Sequence, residues 1–159
     1  ISQQKVDIDT FFYPLDAIDN WNRIYGKNGF TQYQFILPFE TSYIGLEEIL
    51  KSISNSGKGS FLAVLKLYGK ANENHLSFPM EGYSLALDFK IERGLFELLD
   101  DLDKIVLKYK GRIYLSKDVR VTKDTFEQGY PFINSFRKIR EKYKMNKKFN
   151  SLQSKRLEI

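Results

Sequence analysis

The chain has 159 residues, 42% of them hydrophobic and 28% charged, and a net charge of +5, which suits one domain with its own core. It has no cysteine and a single histidine, His75, so disulfides, thiolate metal sites and a cysteine nucleophile are excluded, and a histidine metal site or a complete Ser/His/Asp triad has no support. No run approaches the ~20 continuous apolar residues of a membrane helix, and the lack of cysteine leads to a reducing, cytoplasmic setting as the expectation.

Residues 7–13 read as a strand ended by Pro14. Asp16 caps a short helix through Tyr25, stopped by Gly26. Lys27-Asn28-Gly29 is a turn, and 31–38 is a second strand. Thr41 or Ser42 opens a helix to about Ser54, with Ile44, Ile49, Leu50 and Ile53 inward and Glu47, Glu48 and Lys51 outward. A loop at 55–59 precedes strands at 60–69 and 82–91. Residues 95–109 give a strong amphipathic helix, with Leu95, Leu98, Leu99, Leu102, Ile105 and Val106 inward. Another strand follows at 112–117. A helical region from Thr122 breaks near Gly129 and Pro131, and a basic helix over 132–143 leads into an extended tail. The order is β-α-β-α-β-β-α-β-α, with two strands joined directly. It implies an α+β domain: a mixed, mostly antiparallel sheet with helices packed on one face.

Strand residues alternate between faces. The odd positions are greasy: Tyr33, Phe35 and Leu37; Phe61, Ala63, Leu65 and Leu67; Tyr83, Leu85, Leu87 and Phe89. These are expected to bury under the helices. The even positions mix Gln32, Gln34, Lys66, Tyr68 and Ser84 with Ile36, Leu62, Val64 and Ala86. A core face would exclude Lys66, because an unpaired buried ammonium is costly. A half-apolar face dotted with amides, a lysine and a tyrosine suits a ligand pocket or a polar domain interface; an ordinary half-wet sheet face is the plain alternative. Lys117, at the end of strand 112–117, is either a surface partner of Asp118 or a cation held beside an anionic centre.

Charge is uneven. Residues 137–156 hold nine Lys/Arg against one acid, Glu141, while residues 1–136 hold sixteen basic and eighteen acidic groups. The basic character is a C-terminal feature, open to phosphates, nucleic acid or an anionic membrane, or simply a solvated helix face.

Several runs carry a resemblance. They are Phe11-Phe12-Tyr13-Pro14-Leu15-Asp16, Trp21-Asn22-Arg23-Ile24-Tyr25-Gly26, Gln32-Tyr33-Gln34-Phe35, Leu65-Lys66-Leu67-Tyr68-Gly69 and Leu76 to Tyr83. Leu99 to Asp103, Gly111 to Asp118 and Ser154 to Glu158 continue the series. In order and spacing they resemble the C-terminal region of decaprenylphosphoryl-ribose oxidases, vanillyl-alcohol-oxidase-like flavoproteins to which aldonolactone oxidases are distant kin. The resemblance implies that residues 1–159 are a single C-terminal substrate, or cap, domain. An N-terminal domain, absent here and expected upstream of Ile1, would hold most of the FAD, and the sheet's helix-free face would turn toward it. It implies oxidation of a sugar hydroxyl, on a prenylphosphate-linked ribose in the cell-wall-precursor chemistry of that family, with hydride passing to flavin and a short-chain reductase as partner. The pocket positions fall on Gln32, Gln34, Lys66, Tyr68, Ser84, Ala86 and Lys117, with Arg23 near the entrance. Lys117 takes the catalytic role, and Lys117 and Gln34 approach the cofactor. The resemblance carries no metal, and the fragment alone is expected to be inactive.

There are departures. The position of Ala86 is a cysteine in mycobacterial members, and Ser84 replaces an amide. Both changes alter pocket chemistry, so a soluble sugar lactone or polyol stays open as the substrate beside a lipid-linked sugar. A non-catalytic binding module built on the basic C-terminal helix is the other alternative. Nucleic acid is not the expected partner, and peripheral membrane contact is its counterpart.

Overall fold

The computed structural model describes residues 3–159. Its elements are helix α1 (Ile8–Phe12), strand β1 (Phe30–Pro38), helix α2 (Phe39–Asn55), strands β2 (Ser60–Tyr68) and β3 (Gly82–Lys90), helix α3 (Leu95–Lys108), strand β4 (Arg112–Ile113), and helices α4 (Lys123–Gly129), α5 (Ile133–Lys142) and α6 (Leu152–Leu157). Short 3-10 turns stand at Trp21–Tyr25, Leu115–Lys117 and Met145–Lys147. The four strands form one sheet in the order β2-β3-β1-β4. Every pairing is antiparallel, so the architecture is α+β and the expected parallel component is missing. The reason lies in the strand order: α2 and α3 return β2 and β4 in the directions of β1 and β3, but β3 lies between β1 and β2, and β1 between β3 and β4, so no two parallel strands are neighbours.

The odd side chains of β1 and β3 bury Phe35, Leu37, Leu85, Leu87 and Phe89 against Ile49, Ile53, Leu98, Leu99, Leu102 and Val106 of α2 and α3. Each fully buried Leu, Ile or Phe contributes about 1.5–3 kcal/mol relative to exposure. At the β4 end, Ile113 joins Val121, Phe126, Tyr130, Ile133 and Leu157, which extends the same core beneath α4 to α6.

Several expectations fail for local reasons. Residues 7–13 are not a strand, because Asp7 accepts hydrogen bonds from the amides of Asp9 and Thr10 at 3.0 and 3.3 Å and so caps helix α1. The helix expected over 16–25 shrinks to the 3-10 turn at Trp21–Tyr25. Helix α2 starts at Phe39, directly after Pro38, and buries Ser42, Gly45, Ile49 and Ile53, while Ile44 and Leu50 are exposed. Gly45 suits that rotation: a Cβ there would stand 2.6 Å from Leu37 Cδ1 and 3.1 Å from Tyr109 Cγ, so glycine lets α2 lie against both side chains without displacing them. The odd face of β2 is not buried either. Leu65 and Leu67 are 55% and 65% exposed, since β2 is the sheet edge and α2 lies over β1 and β3. A bulge between Ser60 and Ala63 turns Phe61 to the opposite face, where its ring meets Tyr25 at 5.4 Å. Strand 112–117 pairs for only two residues. The Tyr114 amide donates to the Gln34 carbonyl at 2.8 Å, and the chain then coils into the Leu115–Lys117 turn. The tail is helical, not extended: Ser151 and Ser154 form a capping box that starts α6.

Candidate functional site

The even side chains of three strands form the floor of the helix-free face. Register sets its rows: Gln32 opposite Asp88, Gln34 beside Ala86 and Val64, and Ile36 beside Ser84 and Lys66. The Gln34 amide, buried, donates to the buried Ser84 hydroxyl at 3.0 Å. One amide N–H is left over by that bond. Asp88 is also buried, and the Tyr25 hydroxyl approaches it at 3.4 Å.

Aromatic rings wall this floor at both ends. At one end Tyr25 stacks on Phe30 at 4.5 Å, with Trp21 at 5.6 Å from Phe30 and Phe61 closing the cluster. At the other end Phe78, brought over by the loop after β2, lies 4.4 Å from Tyr114 and 5.9 Å from Tyr68. Arg112 holds that loop by donating to the Ser77 carbonyl at 2.8 Å.

Lys117 stands at the rim. It shares a small crevice with Gln32, Gln34, Ile113 and Val119, and its side chain is exposed. Its pairing with Asp118 does not form. The Asp118 carboxylate is turned inward, 1% exposed, and is taken by Arg156, by the amides of Arg120 and Val121 at 2.8 and 2.7 Å, and by Gln153 at 3.3 Å. Arg120 anchors the other side of the turn. It bonds Asp103 at 2.8 Å and the Leu99 carbonyl at 2.9 Å. Tyr33 completes that cluster by donating to Asp103 at 2.9 Å. Burial first, then the Asp103 charge, push the Tyr33 hydroxyl well above its ordinary range, so it stays a donor. Lys117 thus has no ion-pair partner among the described residues and is carried by a turn fixed through the pairing of two arginines, Arg120 and Arg156, with the inward-turned carboxylates of Asp103 and Asp118.

Seven sequence-derived positions therefore converge on one face or its rim: Gln32, Gln34, Lys66, Tyr68, Ser84, Ala86 and Lys117. Arg23 lies on the turn that carries the Tyr25 wall, and its own side chain is exposed. The aromatic walls and the Asp118 and Arg120 anchors were not foreseen. Aromatic richness hinted at the walls; the anchors join residues far apart in the chain and leave no periodic signal.

No protein-family model matches the chain. A decaprenylphosphoryl-β-D-ribose oxidase from Mycolicibacterium smegmatis is 40% identical to it over 153 residues, which are 96% of this chain and 33% of that protein. The chain is a homologue of one third of that oxidase. An uncharacterised protein in the mprA 5′ region of Streptomyces coelicolor is 31% identical over 113 residues, or 70% of this chain and 31% of that protein. The chain spans about a third of the length of these curated relatives. Similarity to the oxidase runs across nearly the whole chain, so it takes in both the strands of the floor and the Lys117 turn.

Proposed function

We propose that this chain is the substrate-side domain, C-terminal in its polypeptide, of an FAD-dependent oxidoreductase that oxidises a sugar hydroxyl. The observation that carries the reading is the helix-free floor of Gln32, Gln34 and Ser84 between two aromatic walls, with Lys117 unpaired at its rim, in a homologue of an oxidase. The residues fit one part of FAD and not the rest. Amide donors, an ammonium and flat aromatic walls suit the polar edge and the face of an isoalloxazine ring. The antiparallel sheet has no strand, glycine-rich turn and helix to cradle a pyrophosphate, so another domain would hold that part.

Bound flavin would supply the two-electron acceptor for hydride from a carbinol carbon. The chain's own residues would do the positioning. Gln32 and Gln34 hydrogen-bond sugar hydroxyls or the ring edge, and Gln34 is held in place by Ser84. Lys66 and Tyr68 line the β2 side and orient the substrate. Lys117 stabilises negative charge where the hydroxyl proton departs. Arg23 guards the entrance. The substrate class is a sugar carried on a prenyl phosphate, with a separate reductase as partner.

The test is a visible absorption spectrum of the longest native polypeptide carrying these residues, beside the 159-residue chain. Flavin bands near about 375 and 450 nm in the long form and a colourless short chain are expected. A colourless long form that takes up no added FAD would sink the reading.

A further inference from the structure

We propose that the C-terminal lobe, from α5 through Asn150, is a docking surface for an anionic lipid bilayer. The arginines and lysines of this region are sorted by direction. Arginines serve the fold: Arg137 pairs with Glu127 and donates to the Glu158 carbonyl, Arg140 is buried and donates to the Phe149 carbonyl at 2.7 Å, and Arg156 pairs with Asp118. Lysines do not. Lys138, Lys142, Lys147 and Lys148 are exposed and form no ion pair among the described residues. Nearby acids are already taken, since Glu127, Asp118 and Glu158 each hold a cation of the fold. Within residues 133–150 the one acid is Glu141, which is exposed.

The lysines are interleaved with exposed apolar groups. Tyr143 is 65% and Phe149 63% exposed, and Ile139 also faces outward. The Lys142 ammonium sits 5.3 Å from the centre of the Tyr143 ring, so charge and ring share one patch. Residues 133, 136, 137 and 140 face the body of the domain, which leaves 138, 139 and 142 on the outer side of α5. The Arg140 bonds to Phe149 and to Asn150 at 3.1 Å fix the following turn at the C-terminal end of α5, where the Lys147, Lys148 and Phe149 side chains stay exposed. Flexible point charges beside an aromatic and an aliphatic tip suit diffuse attraction to anionic headgroups with shallow insertion. Phosphate contacts along a duplex need no apolar group, whereas shallow insertion into a bilayer uses the exposed Phe149 and Ile139. Docking here holds whichever substrate the helix-free face takes.

The test is co-sedimentation of the chain with vesicles of phosphatidylcholine alone, or with roughly 30% phosphatidylglycerol added. Binding is expected only to the anionic vesicles, and it should fall as salt rises. The variant K142E/K147E/K148E should lose at least about tenfold in affinity, and Phe149→Ser should lose about threefold or more. A variant with the same charge change elsewhere, K5E/K27E/K70E, should retain most of the binding. All these side chains are exposed, so thermal midpoints should stay close to the parent's and separate docking from folding. Equal binding to both vesicles, wild-type binding by K142E/K147E/K148E, or tighter binding to duplex DNA that ignores Phe149→Ser would overturn the proposal.

Discussion

Lys117 can act as a free cation only because its neighbour cannot reach it. Asp118 would neutralise it if both side chains pointed outward, but the Arg156 pair and two backbone amides turn that carboxylate inward. An uncompensated ammonium at a half-closed rim is worth more to a developing negative charge than one already paired. In the flavoprotein proposed above, Lys117→Ala is expected to slow flavin reduction by about 2–4 kcal/mol in barrier, read by stopped-flow absorbance, with little change in thermal midpoint. Reduction at the parent rate would remove Lys117 from the chemistry. The residue scale is also where the sequence was least legible. Gln32, Gln34 and Ser84 fall on one face from alternation alone, yet Asp103 is hidden, since it is one of four acids in an amphipathic helix and all four read as solvent-facing. Its partners, Tyr33 and Arg120, lie 70 and 17 positions away, and no local pattern links them.

At the scale of elements, the Lys117 turn depends on a strand of two residues. β4 stays in register with Phe35 and Ile36 because the chain passes very close to β1 at Gly111. A Cβ at Gly111 would collide with the Ile36 carbonyl oxygen and stand 2.6 Å from Leu37 Cδ2 and 2.9 Å from Val106 Cγ1. Backbone cannot yield there without breaking the ladder. Gly111→Ala is therefore expected to cost about 1–3 kcal/mol of stability, measured by denaturant unfolding, and to slow flavin reduction in the longer polypeptide by displacing Lys117. Loss of stability with unchanged reduction would show that the turn is held by Asp118 and Arg120 alone. Long periodic elements such as α3, β1 and β3 were readable to within a residue or two. Short ones were not: α1, β4 and α6 are set by a cap, a close approach and a capping box, each decided by one or two side chains. Edge position was equally hidden. The alternation of β2 is that of a buried strand, and only the strand order shows that no helix covers Leu65 and Leu67.

Across the whole molecule, the main core lies on one side of the sheet, Tyr25, Ile36 and Phe78 are buried on the other, and several large apolar side chains remain exposed. Ile8, Phe11, Phe12 and Tyr13 around α1 are exposed, as are Leu65 and Leu67, with the stacked Phe39 and Tyr83 beside them. Scattered apolar residues are normal on a surface, but contiguous ones mark an interface. The α+β class and the presence of one greasy and one mixed face followed from the order and alternation of the strands. Which greasy side chains would stay uncovered did not, because that depends on how far α2 extends across the sheet. If the chain is one domain of a larger flavoprotein, part of this surface belongs against the other domain. The neutral dye Nile red is a suitable probe, since the basic lobe does not attract it by charge. Its fluorescence should rise strongly with the 159-residue chain and much less with the longer polypeptide at equal concentration. Leu65→Ser with Leu67→Ser should lower the signal of the short chain while changing stability by only about 0.5 kcal/mol, because neither residue is in the core. Equal fluorescence from both forms would mean that the β2 edge and α1 face solvent in the complete protein. The partner domain would then have to meet this chain through the helix-free face alone.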